Sequence, residues 1–290
     1  MAQGDRFSRD TAVEAVGDGR FRGRIDEGWS VVDGAAPNGG YVMALAARAM
    51  RAVSTHPDRP HPDRPHPDPV TLTAHFLAPP APGPVEIDVE VVRSSARHTT
   101  LTATLRQGGR ECTRLLGAFT DLSRATGPDR VDLAPPAFPP VSACIDATAG
   151  ALARAATGEI PSFPIQERFD HRQPAELAGW AVGRPTGRGE MGGYVRFADA
   201  GEDDAMDTLG LLVVADCYAP AVFNTAVGST SWVPTVELTV QVRGRPVPGY
   251  LAAQFTTRAI TRGYLEEDGR IWDAAGHLVA LSRQLALAPR

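Results

Sequence analysis

The chain has 290 residues, of which 43% are hydrophobic and 22% are charged, a composition typical of a soluble globular protein rather than a disordered or fibrous one. Its formal net charge of −5 argues against a nucleic-acid-binding protein, because such proteins carry a basic surface. All 29 basic residues are arginine, which excludes a lysine Schiff base, a pyridoxal phosphate anchor and a P-loop lysine.

The cysteines and the apolar runs indicate the compartment. Cys112, Cys144 and Cys217 are too few and too widely spaced for a disulfide framework or a zinc site. Residues 1–10 lack the apolar core of a signal peptide, and the apolar run 209–215 is too short to span a membrane. We therefore expect a cytoplasmic protein with free thiols and no membrane span.

The first half of the chain predicts a strand, a buried helix and then an antiparallel meander. The strand covers residues 21–32. The helix covers residues 41–50, which are rich in Ala, Leu and Met, and it follows Asn38 and two glycines. Period-two alternation then predicts four strands, at 70–77, 85–92, 99–105 and 113–120.

A proline-dense repeat separates this helix from the meander. Residues 56–69 read His-Pro-Asp-Arg-Pro twice and then His-Pro-Asp-Pro, a pattern that predicts an extended, solvated loop. His56, His61 and His66 lie in it, so a metal site is conceivable. A tolerated insertion in a surface loop is the favoured interpretation.

The second half repeats this plan after a proline-rich segment. Residues 123–160 have the composition of a linker, with a weak alanine-rich helix at 147–156. An apolar helix is predicted at 208–224, bent or opened by Pro220. The predicted strands are 164–170, 193–197, 235–242, 250–260, 269–273 and 277–287.

Matching intervals along the chain indicate an internal duplication. The positions compared are Gly39, Thr71 and Gly117 in the first half and Asp216, Thr235 and Gln284 in the second. The interval from Gly39 to Thr71 is 18 residues once the repeat loop is left out, and the interval from Asp216 to Thr235 is 19. The interval from Thr71 to Gly117 is 46 residues, and the interval from Thr235 to Gln284 is 49.

A long helix wrapped by a bent antiparallel sheet, present twice in one chain, resembles the type II acyl-CoA thioesterase family, whose members are double hotdogs. The resemblance runs from about Arg22 to Leu287 and rests on 38–40, 75–79, 85–91, Asp216, Thr235 and 278–284. It implies an α+β fold of two tandem hotdog units, each a long helix wrapped by an antiparallel sheet. The expected units are residues 1–125 and 161–290, joined by a proline-rich linker at 126–160.

The resemblance also implies a chemistry. In the family, a helical Asp, a Ser or Thr at a strand start and a Gln on the final strand hold and activate the hydrolytic water. By position these are Asp216, Thr235 and Gln284, and they imply hydrolysis of acyl-CoA without a metal or a cofactor. The residues expected to bind substrate are Asn38, Gly39, Gly40 and His75.

The duplication favours a catalytic role over a paired structural Asp216. The first half has no carboxylate at the matching place and has Gly117 where the second has Gln284, whereas Thr71 matches Thr235. Two of the three polar groups thus occur only in the second half, as expected if one repeat does the chemistry and the other shapes the pocket.

Two alternatives stay open. The family often has an Asn shortly after the Asp and an aromatic residue and a His in the strand after the Thr, and both features are missing here. A non-catalytic acyl-binding double hotdog is therefore the second hypothesis. A hotdog dehydratase or hydratase is the third, and it requires a His–carboxylate pair that faces the pocket, whereas no His lies close to Asp216 in the sequence. In each case the open sheet edges predict a homo-oligomer, most simply a dimer.

Overall fold

The computed structural model describes residues 6–34, 36–58, 63–227 and 232–288. Its α-helices are α1 (Arg6–Asp10), α2 (Gly39–Ser54), α3 (Ala147–Ala156) and α4 (Gly210–Val214). The strands of the first half are β1 (Glu14–Gly17), β2 (Arg20–Ile25), β3 (Ser30–Val31), β4 (Ala36–Pro37), β5 (Asp68–Phe76), β6 (Gly83–Ser94), β7 (Thr99–Gln107) and β8 (Arg110–Thr120). Those of the second half are β9 (Ile145–Asp146), β10 (Phe169–Gln173), β11 (Glu190–Phe197), β12 (Thr235–Val242), β13 (Leu251–Thr256), β14 (Ile260–Thr261), β15 (Tyr264–Trp272) and β16 (Leu278–Leu287).

Fourteen strands within the described ranges form one antiparallel sheet that runs through both halves. Its order is β1-β2-β6-β7-β8-β5-β12-β16-β15-β13-β11-β10-β9, with β14 paired to β15. The halves meet where β5 pairs with β12, and the Thr73 and Thr239 hydroxyls hydrogen-bond across this junction at 2.8 Å. The strand order outward from the junction is similar on both sides, as the duplication predicted.

Helix α2 is the core element of the first half, and it is longer than predicted. Asn38 caps it, because its side-chain Oδ1 accepts the Tyr41 N–H at 2.9 Å. Residues 40–47 are all buried, and they include both small residues and the large side chains of Tyr41, Met43 and Leu45, which pack in the core between the sheet and α4. No helix in the described part of the chain is both long enough and apolar enough to cross a bilayer.

The predicted long helix at 208–224 is wrong. The α-helix covers only Gly210–Val214, and a 3-10 helix covers Ala221–Asn224. Pro220 lacks an amide hydrogen and disfavours helical backbone at the residue before it. Asp216 therefore lies in the turn after α4, where its amide bonds the Val213 carbonyl at 3.0 Å.

Two predicted strands differ in the structure. Residues Pro164–Arg168 form a 3-10 helix, and the strand begins at Phe169. The predicted strand at 21–32 ends at Ile25, after which Asp26 caps a 3-10 helix at Glu27–Trp29. In both cases the apolar alternation continues through a turn and is not by itself a sign of extended backbone.

The repeat loop is not solvated along its whole length. His66 is 2% exposed and bonds Thr99, and Asp68 is 3% exposed and accepts hydrogen bonds from Arg245 and Thr208. The end of the repeat therefore belongs to the junction of the two halves. His61, one member of the conceivable metal site, lies outside the described residues.

Strand register corrects one of the matched pairs in the duplication. Gly117 lies opposite Leu72 and Gln284 lies opposite Leu238, so Gly117 and Gln284 correspond as predicted. Each partner strand has a bulge, after Pro69 in β5 and after Thr235 in β12, so Thr235 corresponds to Pro69 rather than Thr71. All three polar groups therefore occur only in the second half.

Candidate active site

The start of α2 in the first half holds the Asp216 carboxylate of the second half. Its Oδ2 accepts the Gly40 N–H at 2.9 Å and the Asn38 Nδ2–H at 2.9 Å. Asn38 also donates to the Asp216 backbone carbonyl at 2.6 Å. A helix N-terminus is a favourable place for an anion, because its free amides and its dipole both face the charge.

The surroundings of Asp216 hold its pKa near neutrality. Burial raises the pKa from 3.8 to about 6, although the amides of Gly39 and Gly40 and the side chains of Asn38 and Gln284 act in the opposite direction. An ionised Asp216 is thus abundant at pH 7, and its protonated form lies within easy reach. Both forms are needed in a general base.

The other two predicted catalytic residues lie beside Oδ1, the second oxygen of this carboxylate. Gln284 Nε2 is 3.5 Å from Asp216 Oδ1 and also donates to the Thr235 hydroxyl. The fold brings the three together from the turn after α4, the first residue of β12 and the middle of β16. Oδ2 is occupied by α2, so Oδ1 is the oxygen available to a reactant.

These three residues line one cavity of about 310 Å³, together with Asn38 and Gly39. Its walls come from both halves of the chain and are mainly apolar, as in most sites for small molecules. Its carboxyl groups, among the described lining residues, are those of Asp216 and Glu267.

Of the four residues expected to bind substrate, Asn38 and Gly39 line the cavity, whereas Gly40 and His75 are not among its lining residues. Successive side chains of a strand point to opposite faces, and Ala74 faces the core. The His75 side chain is therefore exposed on the outer face of β5, and it is not part of the cavity wall.

Cys217, next to Asp216, is a weak candidate for a nucleophile. Burial, with a further contribution from the Asp216 charge, raises the pKa of its thiol well above 9. Its sulfur lies 3.5 Å from His171 Nε2, but burial lowers the His171 pKa to about 4, so the imidazole is neutral. The pair is therefore neutral at pH 7 and supplies no thiolate.

Glu267 is the site residue that the sequence reasoning missed. It lies opposite Gln284 in neighbouring strands, and its Oε2 accepts the Ala221 N–H at 2.6 Å. Burial, reinforced by the Asp216 charge, raises its pKa from 4.5 to about 7. The sequence did contain a signal for Glu267, because this residue lies between Leu265 and Gly269 on the buried face of β15.

We expect the wild type to lose stability as the pH rises from 5 to 8, and we expect Glu267→Gln to lose less over the same range. A carboxyl whose pKa is raised on folding stabilises the protein below its unfolded pKa, and this stability is lost as pH rises through about 7. The contribution of Glu267 to this change in the free energy of unfolding is at most about 3 kcal/mol, which corresponds to about 5 °C in Tm. Glutamine does not titrate and still accepts the Ala221 N–H.

Thermal denaturation at the two pH values measures this effect. Glu202→Gln, at an exposed position, is the matched control and should follow the wild type. An equal fall in Tm for Glu267→Gln and wild type would show that Glu267 does not titrate in this range.

Two family models of known proteins match the two halves of the chain. A family model described as the acyl-CoA thioesterase N-terminal domain matches residues 25–120, and one described as the C-terminal domain matches 142–288. An uncharacterised protein of Mycobacterium tuberculosis is 27% identical over 294 residues, which cover 93% of this chain and 91% of the relative.

Solved structures share the fold over nearly the whole chain. A Thermobifida fusca protein assigned as a thioesterase II is 31% identical, with 98% of both chains covered and a TM-score of 0.78. A hotdog protein of Alicyclobacillus acidocaldarius is 19% identical, with 99% of this chain and 98% of the other covered and a TM-score of 0.76. The acyl-CoA thioesterase II TesB2 of Mycobacterium marinum is 18% identical, with 98% of both chains covered and a TM-score of 0.69. The last two show the fold alone, which is the predicted hotdog fold.

Proposed function

The chain belongs to the acyl-CoA thioesterase family, and on that premise we propose that it hydrolyses acyl-CoA thioesters to a carboxylic acid and coenzyme A. Family membership agrees with the resemblance seen in the sequence. The observation that carries the proposed reaction is the convergence of Asp216, Thr235 and Gln284 on one cavity, with Asp216 Oδ1 left unoccupied by α2.

In the proposed mechanism, a water molecule binds between Asp216 Oδ1, Thr235 and Gln284. Asp216 takes a proton as the water oxygen forms its bond to the thioester carbonyl carbon. The positive end of α2 favours the negative charge that develops on the carbonyl oxygen. The carbon–sulfur bond then breaks, and the thiolate of coenzyme A takes the proton back from Asp216.

Thr235 and Gln284 act by orientation. Gln284 donates to the Thr235 hydroxyl, so the hydroxyl hydrogen is free to point elsewhere, and the amide also faces Asp216. This arrangement fixes the direction in which the water presents its lone pair. The thioester is already activated, so the step needs no covalent intermediate.

Thiol release from a panel of acyl-CoAs of different chain lengths tests the proposal. We expect turnover with at least one member and no turnover with the matching oxygen esters of the same acids at comparable concentration. Binding of acyl-CoA without thiol release from any member would overturn the hydrolysis reaction and favour the acyl-binding alternative.

We further propose that the chain forms a homodimer. In the described ranges β1 and β9 are the terminal strands of the sheet path, and Leu116 and Leu285 on β8 and β16 are 53% and 39% exposed. Sedimentation at micromolar concentration should give a species of about twice the chain mass of 30.8 kDa. A species of 30.8 kDa at that concentration would contradict this assembly.

A further inference from the structure

A second, much smaller cavity adjoins the one that contains Asp216. Gln166, Trp180, Tyr218 and Ala219 line both cavities, so the two share a wall. The small cavity has a volume of about 10 Å³, which is room for roughly one oxygen-sized group. It lies on the side of the main cavity that carries the aromatic rings of Trp180 and Phe163.

Three buried polar atoms without hydrogen-bond partners in the described part of the chain belong to residues that line the small cavity. They are the Tyr218 hydroxyl, the Trp180 Nε1–H and the Gln173 Oε1. These residues are 9%, 5% and 4% exposed, respectively. A buried polar atom left without a partner costs about 1–3 kcal/mol. Three such atoms on the lining residues of one cavity therefore favour a polar occupant.

The three atoms are complementary to a neutral oxygen. The indole N–H only donates, the amide oxygen only accepts and the phenol does both. A hydroxyl group can accept from Trp180 and donate to Gln173, and a carbonyl oxygen can accept from Trp180 and Tyr218.

A charged group does not suit this place. No arginine lies among the described residues that line it, and His171 there is neutral because burial lowers its pKa to about 4. An unpaired carboxylate would be buried without compensation. Burial also raises the pKa of Tyr218 well above its usual value, so the phenol keeps its proton.

We propose that the small cavity is an oxygen-recognition subsite of the acyl pocket, and that the substrates are acyl-CoAs whose acyl group carries a neutral hydroxyl or carbonyl oxygen. This inference rests on the proposed hydrolysis, since it places the acyl group in the cavity lined by Asp216. The rings of Trp180 and Phe163 line the acyl pocket next to the subsite, and the three polar atoms belong to the subsite itself. An unsubstituted chain leaves these atoms unpaired, so it binds less well.

Kinetics with a series of hydroxyacyl-CoAs tests the subsite. The hydroxyl is moved along the chain, and each compound is compared with the unsubstituted acyl-CoA of equal length. We expect one position at which the hydroxyl raises kcat/KM on the order of 10²-fold, because more than one hydrogen bond is gained. An equal kcat/KM for both members of every pair would overturn the subsite and would mean that only water occupies it.

Tyr218→Phe removes one of the three polar atoms and keeps the ring that packs on His171 and Phe255. We expect it to reduce the preference for the favoured hydroxyacyl-CoA about 10-fold relative to the unsubstituted partner. Tyr264→Phe, on an exposed side chain, is the matched control and should leave the preference unchanged. An unchanged preference in Tyr218→Phe would remove Tyr218 from the subsite.

Binding of the free acids separates this proposal from the proposed reaction. Calorimetry with the favoured hydroxy acid and with the unsubstituted acid needs no turnover. Tighter binding of the hydroxy acid by the wild type, reduced in Tyr218→Phe, supports the subsite even if no thioester is cleaved. Cleavage without any preference in either assay supports hydrolysis and overturns the subsite.

Discussion

Asp216→Asn is expected to lower kcat/KM for acyl-CoA by about 10²–10⁴, because it removes the general base from an otherwise intact site. The asparagine side chain has nearly the same shape, and its oxygen can still accept from Gly40 N–H and Asn38 Nδ2–H. Thiol release under single-turnover conditions measures the loss. Asp203→Asn, at an exposed position, is the matched control and should retain wild-type activity.

The pH profile of the wild type gives the same assignment a second test. A general base works only when ionised, and burial raises the Asp216 pKa to about 6. We therefore expect log kcat/KM to rise as pH increases up to about 6 and to level off above it. Asp216→Asn should remove this inflection along with most of the rate.

Smaller losses of activity are expected when either of the two orienting residues, Thr235 and Gln284, is substituted. Thr235→Val and Gln284→Ala remove hydrogen-bonding groups around the water but leave the base in place. If Asp216→Asn were as active as the wild type, or if either orienting variant lost more activity than Asp216→Asn, the proposed roles would be wrong.

Much of the fold was readable because the duplication constrains it. Period-two alternation located β5, β6, β7, β8, β12 and β16, and the alanine-rich run located α2. The predicted catalytic residues were assigned from the family resemblance, and the turn after α4, the start of β12 and strand β16 bring them together. Counting the intervals between repeats gave the correspondence of Gly117 with Gln284 correctly and that of Thr71 with Thr235 wrongly.

The sequence could not predict features that depend on contacts between the repeats. The helix predicted at 208–224 has an apolar pattern, yet only Gly210–Val214, which contacts α2, is α-helical. Bulges after Pro69 and Thr235 shift register by one residue, which no pattern of apolar residues reveals. Asn38 was predicted to bind substrate, and its contact with Asp216 spans 178 residues.

Gly40→Ala is expected to cost about 3 kcal/mol of stability and to lower activity on the order of 10²-fold, because Gly40 is where α2 and α4 make their close approach. An added Cβ would collide with the Leu212 carbonyl oxygen and lie 2.9 Å from Val213 Cα. Both are backbone atoms, so the clash cannot be relieved by a side-chain rotation and requires α2 and α4 to separate.

That separation also moves the Gly40 N–H away from Asp216, and the carboxylate then loses part of its support. Gly39→Ala is the informative neighbour, since its Cβ would meet only side-chain atoms, the end of the Phe76 ring at 2.9 Å and Asp216 Oδ2 at 3.0 Å. Gly244→Ala is the matched control, because the nearest atom to its added Cβ lies at 3.7 Å. Urea denaturation and thiol release on all three variants measure the two effects. Wild-type stability and activity in Gly40→Ala would show that the packing of α2 on α4 does not position the Asp216 carboxylate.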